Sequence, residues 1–126
     1  MTILIVDDDA GIRQLLTVFL EHNGYNALNA TNGVEALSQL QQNFPLPQLI
    51  LLDLMMPVMD GAAFRQAQQR DPQLAAIPVV VLSADETLAE QAPTLRADAY
   101  IPKPIDFEAL LPLVEQHCRQ SRQRGS

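Results

Sequence analysis

Apolar positions along this chain keep two rhythms. Residues 3–6, 49–52 and 77–82 are nearly continuous apolar runs, as expected of strands buried on both faces. A more polar run over 25–30 and a short one over 99–101 complete a set of five. Between them the period changes. Ile12, Leu15, Leu16, Phe19 and Leu20 fall at i, i+3, i+4, i+7 and i+8, the stripe of a first helix. Asp9 is placed to cap it, and Asn23-Gly24 to stop it. Asn32 and Glu35 have capping-box spacing ahead of a second helix with Leu37, Leu40 and Phe44 inward, closed by Pro45 and Pro47.

Asp60 can cap a third helix with Ala63, Phe64 and Ala67 inward, ended by Asp71-Pro72. A fourth helix is expected over 85–96, kinked or irregular because an interior proline, Pro93, removes a hydrogen bond. Phe107, Leu110, Leu111, Val114 and Cys118 mark a final helix. Pro112 interrupts that stripe unless it falls in the first turn.

Strands alternating with helices predict an α/β fold: a doubly wound, five-stranded parallel sheet of the flavodoxin-like (βα)5 kind. The three most apolar strands belong in the middle and the polar second strand at an edge. This predicts the order 2-1-3-4-5, in which ligands bind beyond the strand C-termini at the switch point between strands one and three. Asp7, Asp8 and Asp53 all end strands there. Three crowded carboxylates raise one another's pKa, a problem a divalent cation removes. Hard oxygen ligands point to Mg²⁺. Ser83 and Lys103 end the fourth and fifth strands, so they face the same crevice and offer a hydroxyl and a fixed positive charge. Nucleophile, metal site, lysine and hydroxyl are what phosphoryl transfer to a carboxylate requires.

Composition narrows the class. At 126 residues the chain makes one domain, expected over 1–120, with a disordered polar tail or linker over 121–126. The hydrophobic fraction of 48% suits a globular fold, and no apolar run is long enough to span a bilayer. Three acids directly after the first strand exclude a secretory signal, so a cytoplasmic protein without membrane contact is expected. The single Cys118 excludes an internal disulfide and a thiolate zinc site. A net charge of −7 disfavours direct nucleic-acid binding, the only basic cluster being Arg119, Arg122 and Arg124 near the end. His22 and His117 lie away from the crevice and read as surface or packing residues, and Met55, Met56 and Met59 as loop packing.

VDDD at 6–9, LLDLMMPVMDG at 51–61, VVVLSA at 79–84 and AYIPKP at 99–104 together resemble response-regulator receiver domains, in order and over residues 3 to about 118. The resemblance implies that Asp53 is the phospho-acceptor and that Asp8, Asp7, Asp53 and the Met55 backbone carbonyl hold Mg²⁺. It implies that Ser83 is the switch hydroxyl, Tyr100 the aromatic that turns inward with it, and Lys103 the partner of the phosphoryl group ahead of a cis Lys103-Pro104 bond. Asp9 stays a helix cap. The implied activity is two-component signalling, not enzymatic turnover of a separate substrate. Phosphate would come from a histidine kinase or histidine phosphotransfer protein and the signal would pass to an unidentified downstream protein.

The match has departures. The segment between Ser83 and Tyr100 is short, Arg96-Ala97 stands where the family has Gly-Ala, and Pro93 falls in the fourth helix. The final helix lacks the basic residues of DNA-binding relatives, which favours a stand-alone receiver over a fragment of a larger regulator or hybrid kinase. Two alternatives are a phosphorylation-independent adaptor and an aspartyl-nucleophile phosphatase built on Asp7-x-Asp9. The phosphatase lacks visible late acidic ligands and a substrate cap.

Overall fold

Every residue of the third strand is buried, and this strand sits at the centre of a five-stranded, all-parallel sheet of order β2-β1-β3-β4-β5. The computed structural model describes residues 1–42, 45–55, 59–84 and 96–124, with side chains up to 119. The strands are β1 (Thr2–Val6), β2 (Asn26–Ala30), β3 (Leu49–Asp53), β4 (Val79–Ser83) and β5 (Ala99–Pro102). The helices are α1 (Ala10–His22), α2 (Gly33–Gln42), α3 (Gly61–Arg70), a single turn α4 (Pro72–Ala75) and α5 (Phe107–Arg124). The expected sheet order is met. Burial of β1, β3 and β4 dictates it, since β2 exposes Asn26 and keeps Ala27, Leu28 and Asn29 only half-buried at the edge.

Side-chain alternation splits the core in two. Ile3, Ile5, Leu49, Leu51, Val80, Leu82 and Ile101 face α1 and α5, where they meet Leu16, Leu20, Leu110, Val114 and Cys118. Leu4, Val6, Ile50, Leu52, Val79 and Val81 face the other way, onto Ala36, Leu40, Phe64 and Leu74. The rings of Phe19 and Phe107, 4.8 Å apart, join α1 to α5.

The caps follow local chemistry. Asp9 Oδ1 accepts the N–H groups of Gly11 (2.8 Å) and Ile12 (3.2 Å), and Asn23 closes α1 ahead of Gly24 at φ +89°. Asn32 Oδ1 accepts Glu35 N–H at 2.9 Å, while the Glu35 carboxylate takes the Thr31 hydroxyl.

Several expectations are corrected. Leu15 is exposed, because the buried stripe of α1 narrows to Leu16 and Leu20. Ala63 is exposed, and α3 instead buries Phe64 together with the polar Arg65 and Gln68. Asp71-Pro72 ends α3 but also starts α4, since Pro is suited to the first turn and Asp71 Oδ1 caps Gln73 N–H. Pro112 lies inside α5 rather than in its first turn, and the helix continues past the boundary expected at residue 120 to Arg124. Burial of Leu110, Val114 and Cys118 on both sides of Pro112 holds that helix together. Phe44 and nearly all of the helix expected over 85–96 lie outside the described residues.

α3 has few large apolar residues, and a polar network serves in their place. Arg65 donates to Gln68 Oε1 (2.7 Å) and to the Arg96 carbonyl (2.9 Å), and Gln68 Nε2 donates to the carbonyls of Leu74 and Ile77. Burial lowers the Arg65 pKa, with the Asp98 carboxylate opposing that shift. Arg96 itself has φ +56°, a left-handed conformation in which a side chain costs about 1–2 kcal/mol. Arg96→Gly keeps the carbonyl that Arg65 uses and is expected to stabilise the fold by about 1 kcal/mol in urea denaturation. A loss of stability would mean that the Arg96 side chain holds this corner.

Candidate phosphoryl-acceptor site

Register brings the site together. Val6 pairs with Leu52, Asp53 with Leu82 and Ser83 with Pro102, so β1, β3, β4 and β5 end along one rim. Asp7 is fully buried and Asp53 is 4% exposed, whereas Asp8 reaches solvent. One carboxylate oxygen from each lies within 4.8 Å of the others. Octahedral Mg²⁺ holds its oxygens at about 2.0–2.1 Å and keeps several waters, so this all-oxygen trio with one open side fits it. Among the described residues it is the only such acidic group.

Lys103 reaches in from just past β5. Its Nζ lies 2.8 Å from Asp7 Oδ2 and 3.5 Å from Asp53 Oδ2. Burial alone would lower the lysine pKa, but the Asp7 hydrogen bond and the charges of Asp53 and Asp7 outweigh it and raise it. Burial, then the charge of Asp7, push the Asp53 carboxyl up to about 6. Lys103 and the N–H of Met55, which donates to Asp53 Oδ1 at 3.2 Å, oppose that rise. The Lys103-Pro104 bond is cis, as the resemblance implied.

Ser83 ends β4, buried, and its carbonyl accepts from Lys103 N–H (2.9 Å) and from the Tyr100 hydroxyl (3.3 Å). Tyr100 is half-buried against the α2–α3 side of the core. By strand alternation Asp7, Asp53 and Lys103 belong to the α1–α5 side of the sheet, and Ser83 and Tyr100 to the other. Met55, two residues past Asp53, is 56% exposed rather than packed, while Met59 lies half-buried against Gly33. His22 is exposed and His117 is buried in α5, both far from the rim in sequence position and element.

Two contributors were not legible as such. Arg13, one turn into α1, donates Nη1 to the Asp7 carbonyl at 2.7 Å. Gly61 presses its backbone against Asp53 and Leu54. The available signals were a lone cation one turn after an acidic triplet, and a glycine at a first helical position where better helix formers are usual.

The carboxylates lie beyond the strand ends at the β1/β3 switch point of a parallel sheet, where such folds bind ligands, with a lysine reaching in from past β5. Residues 3–115 match the response regulator receiver domain family, and the chain belongs to it. It is similar to the DNA-binding dual master transcriptional regulator RpaA of Synechocystis, 40% identical over 94% of this chain and 49% of the relative. It is also similar to the response regulator MprA of Mycobacterium avium, 37% identical over 97% of this chain and 53% of the relative. The chain thus spans about half the length of these curated relatives.

Among solved structures, the Francisella response regulator 1452 receiver domain superposes with a TM-score of 0.84 at 28% identity, covering 95% of this chain and 98% of that one. Vibrio cholerae CheY4 gives 0.82 at 29% identity, covering 91% and 96%. No helix among the described residues is long and apolar enough to cross a membrane.

Proposed function

We propose that this receiver takes a phosphoryl group on Asp53 from a histidine kinase or histidine phosphotransfer protein and changes its protein contacts in response. The carrying observation is Asp53, buried at the sheet rim, with Lys103 Nζ 3.5 Å from its Oδ2 and Asp7 and Asp8 beside it. In the transfer, an Asp53 carboxylate oxygen forms the new O–P bond as the donor's N–P bond breaks, and the departing imidazole takes up a proton. Lys103 supplies positive charge to a phosphoryl oxygen, and Ser83, which starts from the other side of the sheet, would donate its hydroxyl across the rim. Asp8, Asp7, Asp53 and the Met55 carbonyl would hold Mg²⁺, which when bound neutralises the carboxylates and the incoming phosphoryl oxygens. Asp7 in turn keeps Lys103 aimed into the crevice. The chain acts on its own carboxylate and turns over no separate substrate.

The test is Mg²⁺-dependent labelling by acetyl phosphate. Asp53→Asn is expected to remove labelling while the protein stays folded. Labelling that survives the substitution, or that needs no metal, would sink the proposal. The phosphatase alternative is disfavoured because Asp9 is used as a cap and Asp7 is held by Lys103. Phosphomonoester turnover dependent on Asp7 would revive it.

A second reading concerns output. The curated relatives are about twice as long as this chain, which favours a receiver that governs a further domain over one that acts alone. In either case the apolar groove of about 210 Å³ beside Lys103, lined by Ile12, Leu15, Leu16, Pro104, Ile105 and Phe107, supports contact with a protein partner at this rim. If the chain is an adaptor only, capture of that partner will not respond to Asp53→Asn.

A further inference from the structure

We infer that Arg13 is a positioning residue for the acidic cluster: it acts through the main chain of Asp7 and sets how tightly the carboxylates take a divalent cation. The inference rests on the receiver reading above and assigns a role to a side chain outside the acceptor set.

Asp7 is fully buried and is held at four points. Its N–H donates to the Ala30 carbonyl at 3.1 Å, Oδ1 accepts from Asp9 N–H at 2.9 Å, and Oδ2 accepts from Lys103 at 2.8 Å. The fourth point is its carbonyl, which accepts from Arg13 Nη1 at 2.7 Å. Of these, only the Arg13 contact comes from a helix side chain. Arg13 is carried rigidly, since its own N–H bonds the Asp9 carbonyl at 3.0 Å and Leu16 and Leu20 anchor α1 in the core. The three residues between β1 and α1 are therefore closed into a loop by a charge-assisted bond.

The chemistry explains why a cation is used at this point. Asp7, Asp8 and Asp9 are consecutive, and their repulsion favours opening the loop. A guanidinium on the carbonyl holds the loop shut without occupying a carboxylate oxygen, which leaves those oxygens for the ion and for Lys103. Removing it leaves a buried carbonyl without this donor, and the cost of ordering the loop then falls on cation binding. Support of this kind typically changes metal affinity about 10–100-fold. A purely electrostatic role has the opposite sign, because deleting a nearby positive charge should tighten Mg²⁺ binding.

Mg²⁺ titration of the full chain by calorimetry, with wild type, Arg13→Ala and Arg13→Lys, separates these cases. Arg13→Ala is expected to weaken Mg²⁺ about tenfold, with Arg13→Lys in between, since lysine keeps one donor and the charge. Acetyl phosphate labelling of Arg13→Ala should be slow at limiting Mg²⁺ and recover at saturating Mg²⁺. Unchanged or tighter Mg²⁺ binding by Arg13→Ala overturns the assignment. So does a labelling defect that Mg²⁺ does not repair but higher acetyl phosphate does, which would put Arg13 on the donor instead. If Arg13→Ala does not fold, Arg13→Lys decides by the same criteria. A wild type that binds no Mg²⁺ overturns the receiver reading together with this one; wild-type binding alongside an indifferent Arg13→Ala overturns this one alone.

Discussion

Asp53→Asn is expected to stabilise the metal-free protein by about 2–3 kcal/mol at pH 7.5 and to change little near pH 3.5. The Asp53 carboxyl titrates at about 6 in the folded chain against an ordinary 3.8, because burial and then the charge of Asp7 disfavour its ionised form. The folded state therefore binds more protons than the unfolded state between these values, and folding stability falls as pH rises through that window. Above it the wild type carries the full cost of a buried, ionised carboxylate, and Asn removes that cost while still able to accept the Met55 N–H. Denaturant midpoints in the presence of a chelator, compared across pH, measure the difference directly. Saturating Mg²⁺ is expected to narrow or reverse the ranking, since the ion binds the folded wild type more tightly than the variant. A wild type more stable than Asp53→Asn at pH 7.5 without metal would show that Lys103 already compensates the charge.

Gly61→Ala is expected to destabilise the fold by about 2–3 kcal/mol and to weaken Mg²⁺ binding. A Cβ at Gly61 would lie 2.6 Å from the Asp53 carbonyl oxygen and 2.8 Å from Leu54 Cα. Both are backbone atoms, so relief requires moving either α3 or the end of β3. Helix propensity favours Ala by up to about 1 kcal/mol in a helix interior, but Gly61 is the first residue of α3, where that gain is smaller. Steric displacement therefore wins. Urea denaturation reads the first effect and Mg²⁺ titration the second. Stability and affinity both at wild-type level would show that α3 can shift freely on the sheet.

The strands were legible because their apolar runs are buried on both faces, and strand order followed from which of them was polar. Asp7, Asp8 and Asp53 were legible as a group because parallel strands bring their C-termini to one rim. What escaped the sequence is polar chemistry doing packing work. Arg65 and Gln68 look like solvent-facing residues of α3, yet they are buried because only Phe64 and alanines are available to fill that side. Arg13 was hidden for the same reason, since a helical arginine gives no sign in one dimension that a carbonyl lies opposite it. Leu15 was over-read in the other direction: periodicity gives the side of a helix, but not how far the neighbouring chain extends to cover it. Pro112 shows tertiary burial overriding a local preference, with Leu110 and Val114 docked on either side of it.

The rim also behaves as a fixed ruler. Asp53, Ser83 and Lys103 come from separate passes of the chain, and the spacing between passes is the interstrand distance of about 4.8 Å, set by the pairings Asp53–Leu82 and Ser83–Pro102. Each crossover leaves this rim and returns at the opposite end of the sheet, so its length does not enter that distance. The connection between Ser83 and Tyr100 can therefore be short and unusual without altering the separation of the groups at the rim. Insertions or deletions in the crossovers should be absorbed there, whereas a one-residue slip within β4 would exchange Ser83 for Leu82 and invert the side each presents.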